Sequence, residues 1–155
     1  MIEKIIIAAF VAFGYGMVIF RPELVTIAPM REAVSYDGLA LIALIFTVTT
    51  AAAVTVNARV LEIKRRLPQS DEVVSASADL RRTMRRNTLG FFYGFFIAAG
   101  SYFSLTIGRP ESQFIAAFLI VTFFSVLIVG FYLALDVYRV TFGLIETEAD
   151  LDEKL

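Results

Sequence analysis

Three residue types that carry much of protein chemistry are absent from this chain of 155 residues: cysteine, histidine and tryptophan. The lack of cysteine excludes disulfides, iron–sulfur clusters and thiolate nucleophiles. The lack of histidine removes the commonest general base and a principal ligand of zinc and haem. Charged residues make up only 19% of the chain, and its net charge is −1. The chain therefore lacks the excess positive charge that is typical of nucleic-acid-binding proteins. We therefore expect no catalytic residue, cofactor, metal site or nucleic-acid partner, and we expect a protein that is not an enzyme.

Apolar residues, in contrast, make up 58% of the chain, against about 45–50% in soluble domains. They form four runs without Asp, Glu, Lys or Arg, at residues 5–20, 39–58, 89–107 and 114–135. A membrane-spanning helix needs roughly 17–25 such residues. The first run is also long enough for the apolar part of a signal peptide, but no A-x-A site follows it. We predict an all-α integral membrane protein with a four-transmembrane-helix bundle in one membrane domain over residues 1–155.

The basic residues predict how the four spans are oriented. The connection of residues 59–88, called here the basic connection, contains eight of them: Arg59, Lys64, Arg65, Arg66, Arg81, Arg82, Arg85 and Arg86. The other two connections together contain Arg21, Arg31 and Arg109. Because basic loops stay on the cytoplasmic side, we predict a cytoplasmic basic connection and cytoplasmic termini. A bacterial inner membrane is the expected location.

A tripeptide recurs after the first and third runs, as Arg21-Pro22-Glu23 and Arg109-Pro110-Glu111. Its recurrence at the same point of the topology predicts two parallel helical-hairpin repeats, residues 1–68 and 88–145. Alternatively, the tripeptide serves only to end a helix, because proline stops the helix and the charges lie at the headgroups.

Small residues at four-residue spacing occur along the spans and predict close helix packing. They are Ala8, Ala12 and Gly16 in the first span, Gly90, Gly94 and Ala98 in the third, and Gly130 and Ala134 in the fourth. These ridges pack helices either within one chain or between subunits.

The second span is the most polar, and its polar and small residues are candidates for lining a pore: Thr47, Thr50, Ala51, Thr55 and Asn57. Several chains assembled around this span would enclose a narrow wet path. The alternative is ordinary packing, since a threonine hydroxyl in a helix can bond to the carbonyl four residues earlier.

The basic connection is expected to be helical on both sides of Pro68, with Ser70 as the N-cap of a helix that continues into the third span. Its four arginines, Arg81, Arg82, Arg85 and Arg86, are candidates for contact with anionic lipid or an acidic partner. The acidic tail of residues 146–155 is of a type that is disordered on its own. It alternatively folds against the basic connection.

At the end of the fourth span, Asp136 and Arg139 form a candidate interfacial pair three residues apart. A bridge from Asp136 to Arg59 or Arg86 on a neighbouring helix is the alternative. Neither arrangement is catalytic.

These features predict a non-enzymatic membrane protein that acts by assembly, as a homo-oligomer or as an accessory subunit. The alternative is an oligomeric pore, such as an ion channel, a holin-like lysis protein or a membrane-disrupting effector, with the second span lining the path.

Overall fold

The computed structural model describes residues 2–66 and 71–152, and these residues form α-helices without strands. The helices are α1 (Ile2–Phe20), α2 (Pro22–Val25), α3 (Ala28–Ala33), α4 (Tyr36–Arg66), α5 (Asp71–Thr106) and α6 (Gln113–Asp152). The four long helices contain the four apolar runs, apart from Ile107, which follows the end of α5.

Four segments of these helices are long and apolar enough to cross a membrane: Ile2–Phe20, Tyr36–Glu62, Ser77–Thr106 and Gln113–Gly143. Only 6–28% of the apolar window of each segment is buried within the chain. Exposed apolar surface of this extent is unfavourable in water and favourable in the hydrocarbon core of a bilayer. The chain is an all-α integral membrane protein with a bundle of four transmembrane helices, as the apolar runs predict.

Three helices continue beyond their apolar runs. Helix α4 extends to Arg66, and α5 passes unbroken from Asp71 through the arginines into the third span. The predicted break at Pro68 and the predicted cap at Ser70 lie outside the described residues. Helix α6 continues to Asp152, so the backbone of residues 146–152 is helical. No proline or glycine follows Gly143, and alanine, leucine and glutamate favour helix there.

The helices contribute to two compact units. The first unit comprises residues 1–44 and 93–131. Its main core consists of Val34, Ile42, Ala98, Ile120 and Phe123, and a smaller cluster of Val18, Ala117 and Val121 packs α1 against α6. The burial of Val34 shows that the connection of residues 21–38 supplies part of this core.

The second unit comprises residues 45–92 and 132–155. Its core consists of Ala53, Val56, Val60, Met84 and Val137. The three residues from α4 are three or four positions apart and therefore lie on one face of that helix. This face packs against α5 and α6, so all three helices are held together in the second unit.

The two Arg-Pro-Glu tripeptides both follow a membrane-spanning helix, but their backbones differ. Arg21 (φ −148°) directly precedes α2, in which Pro22 is the first residue. Arg109 (φ 40°) has the left-handed conformation, which is uncommon for a residue with a side chain. A Cβ on the preceding Gly108 would lie 2.7 Å from the Ser104 carbonyl oxygen, so glycine is required there. Both tripeptides follow helix ends, and the duplication of the hairpins stays a prediction.

Candidate functional site

A hydrogen bond between two polar side chains joins α5 to α6 in the second unit. The amide Nδ2 of Asn87 donates a hydrogen bond to the Oδ2 atom of Asp136 over 3.1 Å. Asn87 is buried, with 4% of its surface exposed, and Asp136 is half-buried. Because a buried amide or carboxylate without a partner is costly, this bond favours one register of the two helices. The cross-helix partner seen for Asp136 is thus Asn87, next in sequence to Arg86, which is one of the two alternative partners. Arg139 is exposed, and its pairing with Asp136 stays a prediction.

The polar residues of the second span lie on different faces of α4. Thr47, Ala51 and Thr55 are exposed and lie four residues apart, so they form one outward stripe, called here the threonine stripe. The hydroxyl of Thr55 donates a hydrogen bond to the Ala51 carbonyl oxygen over 3.0 Å, which satisfies it within the helix. The stripe is therefore available for contact with lipid, water or another chain.

Thr50 is not part of this stripe. Its Oγ1 atom is buried and has no hydrogen-bond partner within the described chain. Asn57 is exposed but lies on another face of α4, beside Ala53 and Val54. The sequence-predicted set of five is therefore divided between two faces, because successive residues of a helix are separated by about 100° around its axis. Thr50 and Asn57 are seven residues apart and share the second face, on which Thr50 is half-buried and Asn57 is exposed.

The small residues of the first span face away from the core of the first unit. Ala8 and Ala12 are exposed, and a Cβ built on Gly16 would meet no atom within 4 Å. The inward face of α1 instead contains Gly14, where a Cβ would lie 3.1 Å from the Val121 side chain. It also contains the buried Val18. The ridge predicted from spacing is thus not the face that packs within the chain, since Gly14 and Val18 lie roughly opposite to it.

The small residues of the third span, by contrast, contact α6. A Cβ on Gly94 would lie 3.3 Å from Val126 in the first unit, and one on Gly90 would lie 3.5 Å from Leu133 in the second. Ala98 is fully buried. On α6, the predicted packing residues Gly130 and Ala134 are half-buried.

An open groove of about 440 Å³ lies between α4 and α5 in the second unit. It is lined by Ala53, Val54, Asn57, Arg81, Met84, Arg85, Thr88 and Leu89. The Nε atom of Arg81 donates to the Ser77 carbonyl oxygen over 3.3 Å. Arg82 and Arg86 are exposed and do not line the groove. The sequence predicts one role for all four arginines, although their spacing places Arg81 and Arg85 on one face and Arg82 and Arg86 on the next.

Within the described residues, no cluster of three or more acidic side chains is arranged to hold a metal ion. Comparison with protein-family models finds no match for the chain, and comparisons with curated proteins and with solved structures find no significant match either.

Proposed function

We propose that this chain is a non-enzymatic membrane protein that acts by assembly, as a homo-oligomer or as an accessory subunit of a membrane complex. The observation that carries this proposal is the ridge of Ala8, Ala12 and Gly16 on α1, where the two alanines are exposed and a Cβ on Gly16 would meet no atom within 4 Å. Only 6% of this span is buried within the chain. In lipid, ridges of small residues stabilise helix contacts because they let two backbones approach closely. A helix from a second subunit fits this ridge.

The proposed setting is a bacterial inner membrane, with both termini and the basic connection in the cytoplasm. The excess of arginine and lysine in that connection supports this orientation. The same residues favour contact with anionic headgroups, at about 1 kcal/mol for each base near the surface. We include such lipids among the partners of the protein.

The assembly proposal is tested by placing a large side chain on the ridge. Gly16→Leu should reduce the number of subunits per particle, counted by single-molecule photobleaching in liposomes, because the leucine separates the two backbones. Gly100→Leu is the matched control, since a Cβ there also meets no atom within 4 Å and Gly100 lies on α5, outside the ridge of α1. An accessory subunit would be monomeric when purified alone, and Gly16→Leu would then weaken its recovery with the other subunits. Equal subunit counts and equal recovery for both variants would contradict the proposal.

A second candidate, an oligomeric pore, is favoured by the exposed threonine stripe of α4. Several chains with this stripe turned to a common axis would line a path with hydroxyl groups. Thr47→Asp should then change the conductance and ion selectivity of the protein in planar bilayers. Val129→Asp is the control, because Val129 is also exposed but belongs to α6, outside the stripe. The absence of conductance from the assembled wild-type protein would exclude this function.

A further inference from the structure

The groove of the second unit combines cationic and apolar walls. Arg81, Arg85 and Asn57 lie toward the basic connection, whereas Val54 and Leu89 belong to the apolar runs. On α5, the distance from Arg81 to Leu89 is about 12 Å at the helical rise of 1.5 Å per residue. A small anion alone would leave the apolar walls uncovered, and a hydrocarbon chain alone would leave the guanidinium groups uncovered. The occupant that fits both parts is an amphiphile with an anionic head.

The charges of the groove support an anionic head. Among the described residues that line it, none is acidic. The bond from Arg81 to Ser77 uses one of the five N–H donors of that guanidinium group, and Arg85 is exposed. Arginine is well suited to phosphate, because two of its N–H groups can bind two phosphate oxygens at once. The Asn57 amide adds an uncharged donor, whereas the Thr88 hydroxyl donates to the Met84 carbonyl oxygen over 3.0 Å.

The size and openness of the groove support a lipid. Its volume of about 440 Å³ lies in the range of roughly 300–1,000 Å³ typical of small-molecule sites. Val54 is 65% exposed and Leu89 is 45% exposed, so an acyl chain reaches these walls sideways from the bilayer. No part of the protein has to open for the lipid to enter.

We propose that this groove binds one anionic phospholipid, with its phosphate on Arg81 and Arg85 and the upper part of an acyl chain on Val54 and Leu89. This inference rests on the proposed contact between the basic connection and anionic headgroups, and it names the site of that contact. It does not depend on the number of subunits in the assembly.

The test uses native mass spectrometry of the full chain released from nanodiscs that contain equal amounts of phosphatidylglycerol and phosphatidylcholine. The wild-type protein should retain one phosphatidylglycerol per chain in preference to phosphatidylcholine. Arg81→Gln/Arg85→Gln should weaken this retention about thirtyfold, since each base contributes about fivefold near a membrane surface. Arg82→Gln/Arg86→Gln is the matched control, because it removes the same two charges from the same helix outside the groove. It should change retention by less than about threefold.

Two further variants keep the proposal testable if the double substitution at Arg81 and Arg85 does not fold. Arg85→Gln alone, at an exposed position, should weaken retention about fivefold. Val54→Trp should also abolish retention, because the indole fills the groove while both arginines remain. Its exposed position makes a folding defect unexpected.

If the two double variants lose phosphatidylglycerol retention equally, the lipid does not bind in the groove. The arginines would then attract anionic headgroups only in a diffuse way. Equal retention of phosphatidylglycerol and phosphatidylcholine would contradict both the anionic-lipid site in the groove and the proposed contact with anionic headgroups. Displacement of the bound lipid by excess inorganic phosphate would identify a soluble anion as the occupant and would contradict the proposal that the groove binds a phospholipid. The same spectra give the number of chains per particle, so a failure of the assembly proposal is seen separately from a failure of the groove.

Discussion

Replacing Asn87 by leucine tests the contact that joins α5 to α6 most directly. The substitution keeps the branching and the number of heavy atoms of the side chain but removes the donor that lies 3.1 Å from Asp136 Oδ2. A hydrogen bond to a charged group contributes about 1.5–3 kcal/mol, whereas polar bonds between membrane helices average about 0.6 and reach about 1.7. Because Asn87 is buried and Asp136 is half-buried, we take the upper part of the membrane range. The expected loss for Asn87→Leu is about 2 kcal/mol, including the carboxylate left without its donor.

A double-mutant cycle separates this bond from general packing. Asp136→Leu should cost about 2 kcal/mol, because it leaves the buried Asn87 amide without its acceptor. The double variant should be about 1.5 kcal/mol more stable than the sum of the single losses predicts, since neither polar group then remains alone. Asp136→Asn keeps an acceptor oxygen at this position and should cost less than about 1 kcal/mol.

The free energy of unfolding is measured for the wild type and the four variants by titration with sodium dodecyl sulfate in mixed micelles, with helix content followed by circular dichroism. A coupling energy within about 0.3 kcal/mol of zero would show that the Asn87–Asp136 bond does not link the two helices. The reasoning from burial and distance would then be refuted, even if each single variant were destabilised.

Three further outcomes are expected. Thr50→Val should raise the free energy of unfolding by about 1 kcal/mol, because it removes a buried hydroxyl without a partner. Thr55→Val, at an exposed position, should change it by less than about 0.5 kcal/mol. Destabilisation by Thr50→Val would instead mean that the hydroxyl has a partner in the assembled protein. Gly94→Ala should cost about 1 kcal/mol because its Cβ is crowded by a side chain of α6, whereas Gly100→Ala should be neutral or stabilising; equal effects would contradict this packing. A cysteine at the exposed Asp79 should react with an impermeant maleimide only after the cells are permeabilised. Labelling of intact cells would reverse the predicted orientation.

The helices themselves could be predicted because their signals are local. An apolar run of membrane-spanning length is expected to be an α-helix in lipid, because every backbone N–H and C=O group must be hydrogen-bonded within its own helix. The continuation of α5 through the arginines also follows from the absence of proline and glycine between Asp71 and Thr88. The contribution of Val34 to the core could not be predicted in this way, because it depends on how the connection folds back onto other helices.

The candidate site was only partly predictable for a related reason. Spacing identifies residues that share a helix face, such as Thr47, Ala51 and Thr55, but it does not say what that face contacts. In lipid, apolar residues face either the bilayer or a neighbouring helix, so hydrophobicity does not distinguish the two. The small residues of α1 and those of α5 have the same spacing, yet the first ridge is exposed and the second contacts α6.

The sequence by itself determined that the chain belongs in a membrane, where its four spans lie, and which connection concentrates the arginines. These properties follow from composition and local order, since a charge-free run of about 20 residues is stable as a helix in hydrocarbon. Only the tertiary structure decided which ridge faces outward, that Asn87 binds Asp136, and that two of the four arginines share a groove with apolar residues of α4. Those arrangements depend on the rotation and register of one helix against another. The contacts that determine both are between residues far apart in the sequence.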